Sequence, residues 1–243
     1  MKQPKLRDAH GLLQEMWPIG QIPTDIIKKI GAGIVYRIHC GRKDITGDEW
    51  GDILAEAVGG EHLGKPLGLS DVITKTTAWS AKTVKAKSPF TQSSVRLISG
   101  RNSPDFSYGI EDPHDDIQIT GDAVLGIWNG RVDIAQSHYP RIRVIILIRN
   151  YECTEFALYE EYLEHFRINE YEWRENAQNN FEGFNRRSNI KAFTWQPHGS
   201  QFTIHSNVPD DAIKFKVKRP PVQTQESALR SIGFDDSWIE IIK

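Results

Sequence analysis

The segment Ser70-Asp-Val-Ile-Thr-Lys-Thr-Thr-Ala-Trp-Ser-Ala-Lys-Thr-Val-Lys85 decides how this chain is read. Apolar residues flank a polar Thr74-Lys-Thr-Thr77, so Leu67 to Ile73 and Ala78 to Ala86 are predicted to be two strands joined in a hairpin. Side chains alternate along a strand, which places Ser80 and Lys82 on one face. Asp71 lies on the neighbouring strand, and the same face can hold all three. It is also the only acid between Lys65 and Arg101, a segment that carries Lys65, Lys75, Lys82, Lys85, Lys87, Arg96 and Arg101. A carboxylate beside an ammonium suits phosphodiester hydrolysis. That reaction needs a hard cation against the phosphate, an activated water, and a positive group to orient the water or stabilise the oxyanion. Mg²⁺ takes oxygen ligands and retains several waters. Asp71 is the expected first ligand, the Ala81 carbonyl a second, and Glu49 or Glu56 from the preceding helix a third.

Upstream, Pro23 to Ile30 reads as a short helix and Gly33-Ile-Val-Tyr-Arg-Ile-His39 as a strand. Thr46 or Asp48 is placed to cap a helix that runs to Val58 and stops at Gly59-Gly60. In it Trp50, Ile53, Leu54 and Ala57 recur at helical spacing, which leaves Glu49, Asp52 and Glu56 on a second face. Downstream, Thr91 to Ser99 reads as a helix, and Val124, Leu125, Trp128, Val132 and Ala135 mark another between about 121 and 136. Arg141 to Arg149 reads as a strand buried on both faces, because Ile142, Val144, Ile146 and Ile148 alternate with residues that are also largely apolar. Beyond Cys153 the expectation is a strand at Phe156 to Glu160, a hairpin from Ala192 to His205 turning at Pro197-His198-Gly199, and a strand at Ile213 to Lys218. His114, Asp115 and Asp116 read as an acidic loop after Pro113.

Composition sets outer bounds. With 243 residues, 39% hydrophobic and 26% charged, the chain is an ordinary globular protein, and disorder, collagen and disulfide scaffolds are excluded. Cys40 and Cys153 have no CxxC partner, which argues against a zinc site. The longest apolar run, Val144 to Ile148, is far short of a membrane span, and Met1 to Trp17 lacks the hydrophobic stretch of a leader. No membrane association and a cytoplasmic location are therefore expected. Net charge is only −2, yet cations cluster locally. Asn102 to Asn129 holds acids and no Lys or Arg, and basic residues return around Phe193 to Phe202 and from Lys214 to Arg219.

The order of a helix with Glu49-Trp50, a strand ending in Ser70-Asp71, a strand Trp79-Ser-Ala-Lys-Thr-Val84, a helix and the apolar strand 144–148 resembles the PD-(D/E)xK nucleases. The whole chain looks like a type II restriction endonuclease of the SxK form. Ser70 stands where that motif has proline, and Ser80 where it usually has Glu or Asp. The resemblance implies an α/β (α+β) fold with a restriction-endonuclease-like core, a mixed central sheet flanked by helices. It implies one domain over 1–243, with a catalytic core at about 45–150 and a β-rich elaboration at about 151–243 for DNA recognition. It also implies Mg²⁺ and no organic cofactor, and a homodimer that cuts double-stranded DNA at a specific site to leave 5′-phosphate ends. Asp71, Ser80, Lys82 and Glu49 would be catalytic. Asp71, Glu49, Glu56 and the Ala81 carbonyl would hold the metal.

DNA contacts are expected from Lys85, from Arg96, Arg101 and Asn102, and from Trp195, Gln196, His198 and Gln201 around the hairpin turn. Lys216 joins them from a lysine stripe, Lys214, Lys216 and Lys218, on one strand face. Two alternatives stay open: a nuclease of the same core that acts on DNA structure in repair or recombination, and a DNA-binding module whose catalytic site has decayed.

Overall fold

The computed structural model describes residues 15–64, 69–139 and 141–242; the expectations for Met1 to Gln14, for Lys65 and for the start of the Leu67 strand lie outside them. The chain is a mixed α/β protein with two sheets. Two helices come first, α1 (Thr24–His39) and α2 (Gly47–Val58). Gly33 to His39, expected as a strand, is the second half of α1. The reason lies in a period of four: Ile26, Ile30, Ile34 and Ile38 are all buried, and that spacing outweighs the β preference of Ile and Val. Gly33 is a point of close approach and not a break, since a Cβ there would lie 3.1 Å from Ile53. Helix α2 begins as expected at Thr46. It ends at Gly59 in the left-handed conformation (φ 65°), where glycine carries no steric cost.

The first sheet runs β1 (Glu61–His62), β2 (Val72–Ile73), β3 (Ala78–Lys85), β5 (Ile142–Arg149), β6 (Glu155–Tyr162), β11 (Ile213–Lys216), in that spatial order. Among the described residues only the β3–β5 pair of this sheet is parallel. The turn joining β2 to β3 is the expected one, closed by the Thr74 amide on the Thr77 carbonyl at 2.9 Å. Strand β5 is buried along its whole length, as its continuous apolar reading requires. Between β3 and β5 the chain passes through β4 (Ser94–Arg101), α3 (Pro104–Tyr108) and α4 (Ile117–His138). Helix α4 starts at Asp116, whose side chain accepts the Ile119 amide, so the acidic loop ends as an N-cap.

Strand β4 corrects a second expectation, the helix at Thr91 to Ser99. Val95, Leu97 and Ser99 are buried while Ser94, Arg96 and Ile98 are exposed, a period of two that the closely spaced apolar residues disguised. β4 is the edge of a second, antiparallel sheet ordered β4, β10 (Gln201–Asn207), β9 (Lys191–Gln196), β8 (Phe181–Asn185), β7 (Tyr171–Glu175). The β9–β10 hairpin turns at the expected place. The expected boundary near residue 150 does not separate the sheets: β4 belongs to the second sheet, and β6 and β11 complete the first.

The layers follow from which face each residue presents. Trp79, Ala81, Ile145 and Leu147 pack beneath α1 and α2. Val144, Ile146 and Ile148 point the other way, into one core that holds the buried face of α4, with Val124, Leu125, Trp128 and Val132, together with Trp173, Phe181, Phe193 and Phe202 of the second sheet. The opposite side of α4, with Ile119, Asp133 and Ile134, is exposed.

Candidate functional site

The hairpin brings its three residues together. The β2–β3 register sets Val72 opposite Trp79 and therefore Asp71 beside Ser80. Asp71 Oδ2 accepts the Ala81 amide at 2.8 Å and the Ser80 hydroxyl at 3.3 Å, and lies 3.7 Å from Lys82 Nζ. Among the described residues nothing bonds Oδ1. The Asp71 and Lys82 side chains are 22% and 27% exposed, so water reaches both. In a strand the N–H and C=O of one residue point to the same edge. The Ala81 carbonyl therefore lies on the edge where its amide meets Asp71.

The helix carboxylates do not join this cluster, which corrects the expected ligand set. Glu49 closes a capping box, accepting the Thr46 amide at 2.9 Å, and pairs with Arg42 at 3.0 Å. Glu56 pairs with Arg37 at 2.7 Å. Helix α2 packs on the Trp79 and Ala81 face of the sheet, whereas Ser80 and Lys82 point to the opposite face, toward α4. No group of three or more His, Cys, Asp or Glu side chains converges among the described residues. The donors that fit a divalent cation are Asp71 Oδ1 and the Ala81 carbonyl. This is a sparse set, suited to an ion that keeps its waters and takes further oxygens from a phosphate.

Two charged groups near this cluster were not singled out by the sequence. Arg131 of α4 donates to the Ser99 carbonyl at 2.6 Å and to Asn102 Oδ1 at 3.1 Å. Burial lowers its pKa, and the Asp71 charge is near enough to work in the opposite direction. Arg131 is the one arginine of that helix, which was the available signal. Glu161 of β6 pairs with Val144, which pairs with Ser80, so all three lie in one row across the sheet. Burial pushes its carboxyl above the usual range, the neighbouring Glu164 adds to this, and the Ser206 hydroxyl partly offsets it. Asp71 and Glu161 are three strand spacings apart, about 14 Å between backbones, too far to share one ion.

Lys82 and Glu161 line a cleft of about 450 Å³ between the two sheets, with Trp128, Phe166 and Val144 forming apolar walls and Ser206 on a polar side; His205 turns its ring to the opposite face of the second sheet, that of Arg96 and Thr194. Burial, aided by the charges of Lys191 and Arg96, lowers the pKa of His205, whose Nε2 lies 2.9 Å from Thr194 Oγ1.

The expected DNA-contacting residues divide into two groups. Pairing of β4 with β10 places Arg101 opposite Gln201, and the Asn102 amide donates to the Ser200 carbonyl at 2.8 Å, so the end of β4 meets the β9–β10 turn. Arg101 and His198 are exposed there, with Gln196 and Gln201 half-buried, and Arg96 is exposed farther along β4, opposite His205. Asn102 and Trp195 are corrections. Asn102 is wholly buried, donating to the Val124 carbonyl and accepting from Arg131, and Trp195 is 2% exposed with its indole N–H on the Asn102 carbonyl. Both are spent inside the protein. Lys85 pairs with Asp44 at 2.7 Å, and Lys216 with Glu155 at 2.8 Å. The lysine stripe of β11 does alternate outward, but β11 is the far edge of the first sheet and not part of the hairpin surface. No helix among the described residues is long and apolar enough to cross a membrane. No family model matches the sequence, and neither a curated protein nor a solved structure matches it.

Proposed function

We propose that the protein is a Mg²⁺-dependent endonuclease of double-stranded DNA with a PD-(D/E)xK-like core. The observation that carries this reading is the Asp71–Lys82 contact of 3.7 Å at the β2–β3 junction, on the strand that pairs in parallel with β5 after the α4 crossover. Along the chain the order is α2, β1, β2, β3, β4, α3, α4, β5, so a helix and the hairpin precede the apolar strand, with β4 and α3 inserted before α4. Asp71 would hold the cation through Oδ1, with the Ala81 carbonyl as its neighbour. The bound cation would supply charge neutralisation at the phosphate and a water of lowered pKa. Lys82 Nζ, 3.7 Å from Asp71, would orient the attacking water and face the charge that develops on the phosphate oxygens. Ser80 would hold the Asp71 carboxylate through its hydroxyl, a supporting role. The exposed cations Arg96 and Arg101 would carry phosphate contacts beside the hairpin turn. Sequence specificity and action as a homodimer belong to the same proposal and rest on the resemblance of the motif.

The test is incubation of purified protein with DNA of mixed sequence, with Mg²⁺ and with chelator, followed by sequencing of the ends. Metal-dependent 5′-phosphate ends at one recurrent sequence are expected. Lys82→Ala should abolish cutting and leave DNA binding measurable. Native-rate cleavage by Lys82→Ala would remove the site assignment, and binding without turnover on any DNA would favour the non-catalytic module.

A further inference from the structure

The arginines that the fold shields from water come with carboxylates, except one. Arg37, Arg143 and Arg149 pair with Glu56, Glu160 and Asp44, each at 2.7 Å, and among the described residues Arg131 is the remaining arginine that is not exposed and has no such partner. We propose that Arg131 and Lys82 form a phosphate-binding site beside Asp71, in which the Arg131 guanidinium takes a backbone phosphate of the DNA in a bidentate grip; this rests on the nuclease reading.

Place, seat and unused donors carry the inference. The guanidinium donates to the Ser99 carbonyl at 2.6 Å and lies 5.9 Å from the centre of the Trp128 ring. Ser99 and Trp128 border the same cleft as Lys82, so the two cations meet at one cleft. The seat is built for a guanidinium. Gly100 covers it with φ 94°, and a Cβ there would fall 2.8 Å from Nη1 and 2.9 Å from Nη2. Asn102, wholly buried and tied to the Val124 carbonyl and the Trp195 indole, holds out its Oδ1 at 3.1 Å. A group fixed in this way loses little freedom when it binds. Nη1 uses both its hydrogens on Ser99 and Asn102, whereas Nε and Nη2 meet no acceptor among the described residues and neither is sealed from water. The Nε and Nη2 hydrogens on that edge point in parallel, the fork that matches two oxygens of a phosphate. Charge gives the same answer. Burial works against the Arg131 charge, and the carboxylate that opposes this is Asp71, which Lys82 already shares. Two cations beside one carboxylate leave a positive excess, and a phosphodiester brings one negative charge to it. Gly100 has no side chain to hold a DNA backbone away, and the exposed Arg101 follows it.

The experiment follows the Arg131 Nε–H resonance of the intact, metal-free protein, assigned by its loss in Arg131→Met, during titration with a short DNA duplex and with inorganic phosphate. The duplex is expected to shift it. Arg131→Met should bind the duplex about tenfold more weakly, with the slope of log K against log salt reduced by about 1. A purely structural tie between α4 and β4 would lower the unfolding midpoint and leave that slope alone. Gly100→Ala keeps the charge but pushes the guanidinium off its seat, and it should weaken the duplex by about fivefold even if Arg131→Met does not fold. An unchanged slope in folded Arg131→Met, native affinity in Gly100→Ala, or a resonance that inorganic phosphate moves and the duplex does not, overturns the proposal. Mg²⁺-dependent plasmid cleavage by the wild type is measured in parallel. Cleavage with an unmoved resonance removes the Arg131 site alone, whereas an Arg131-dependent slope without cleavage of any DNA removes the nuclease reading and leaves a phosphate site.

Discussion

Asp71 spends one oxygen on structure and keeps the other, which is how a single carboxylate can serve both a strand edge and an ion. Asp44 shows the contrasting case, a carboxylate committed wholly to structure. Burial works against its charge, but Arg149 at 2.7 Å and Lys85 at 2.7 Å more than compensate and hold its pKa far below the usual carboxylate range. A depressed folded pKa stabilises the protein above the unfolded value of about 4 and ceases to do so as the pH falls through the folded value. Asp44→Asn should therefore cost about 2 kcal/mol at pH 7, allowing for its partial exposure. In urea unfolding curves that deficit should persist down to about pH 4 and narrow progressively below it. A deficit that disappears between pH 7 and pH 5 would show that the ion pairs are not its source. At this scale the sequence was informative for Asp71, Ser80 and Lys82, which one short hairpin holds together. It misled for Asn102 and Trp195, whose polar atoms turn inward to bond other parts of the chain.

Elements are decided by periods, and two of the periods here competed with propensity. The isoleucines of α1 favour a strand one at a time, but at a spacing of four they form one buried helical stripe; Val95 and Leu97 of β4 reverse the case. Helix α4 was legible because its apolar residues recur on one face, yet that pattern does not say what covers that face. Gly121 supplies a test of the covering. Glycine within a helix ordinarily costs about 1 kcal/mol relative to alanine. Here a Cβ would fall 2.1 Å from the Trp173 ring of β7. Gly121→Ala should destabilise the protein by about 3 kcal/mol, reversing the sign that helix propensity alone gives. Thermal unfolding reads the difference, and a stabilised variant would show that α4 and the second sheet do not meet at this seam.

Across the whole molecule, the two sheets share a core with the buried face of α4 and leave between them the cleft that begins at Lys82. The cations of β4 and the β9–β10 turn share one exposed surface, although they are about a hundred residues apart in sequence. Arg101→Ala should weaken DNA binding evenly across sequences and reduce the slope of log K against log salt by about 1, without changing the unfolding midpoint. Trp195→Phe should do the reverse, lowering stability by about 1–2 kcal/mol through the lost indole bond and volume. Equal effects of the two on affinity would contradict the burial of Trp195. Sequence alone determined the local hairpin, the two-faced β5, the start and stop of α2 and the adjacency of Asp71 to Lys82, because each depends on alternation, capping or turn chemistry within a few residues. Tertiary structure decided that Glu49 and Glu56 lie across the sheet from Lys82, that Asn102 and Trp195 are core, and that Glu161 shares a cleft with Ser80. Those placements depend on which face of a sheet each helix covers and on strand pairings between distant segments, and they follow only when all the apolar faces are buried at once.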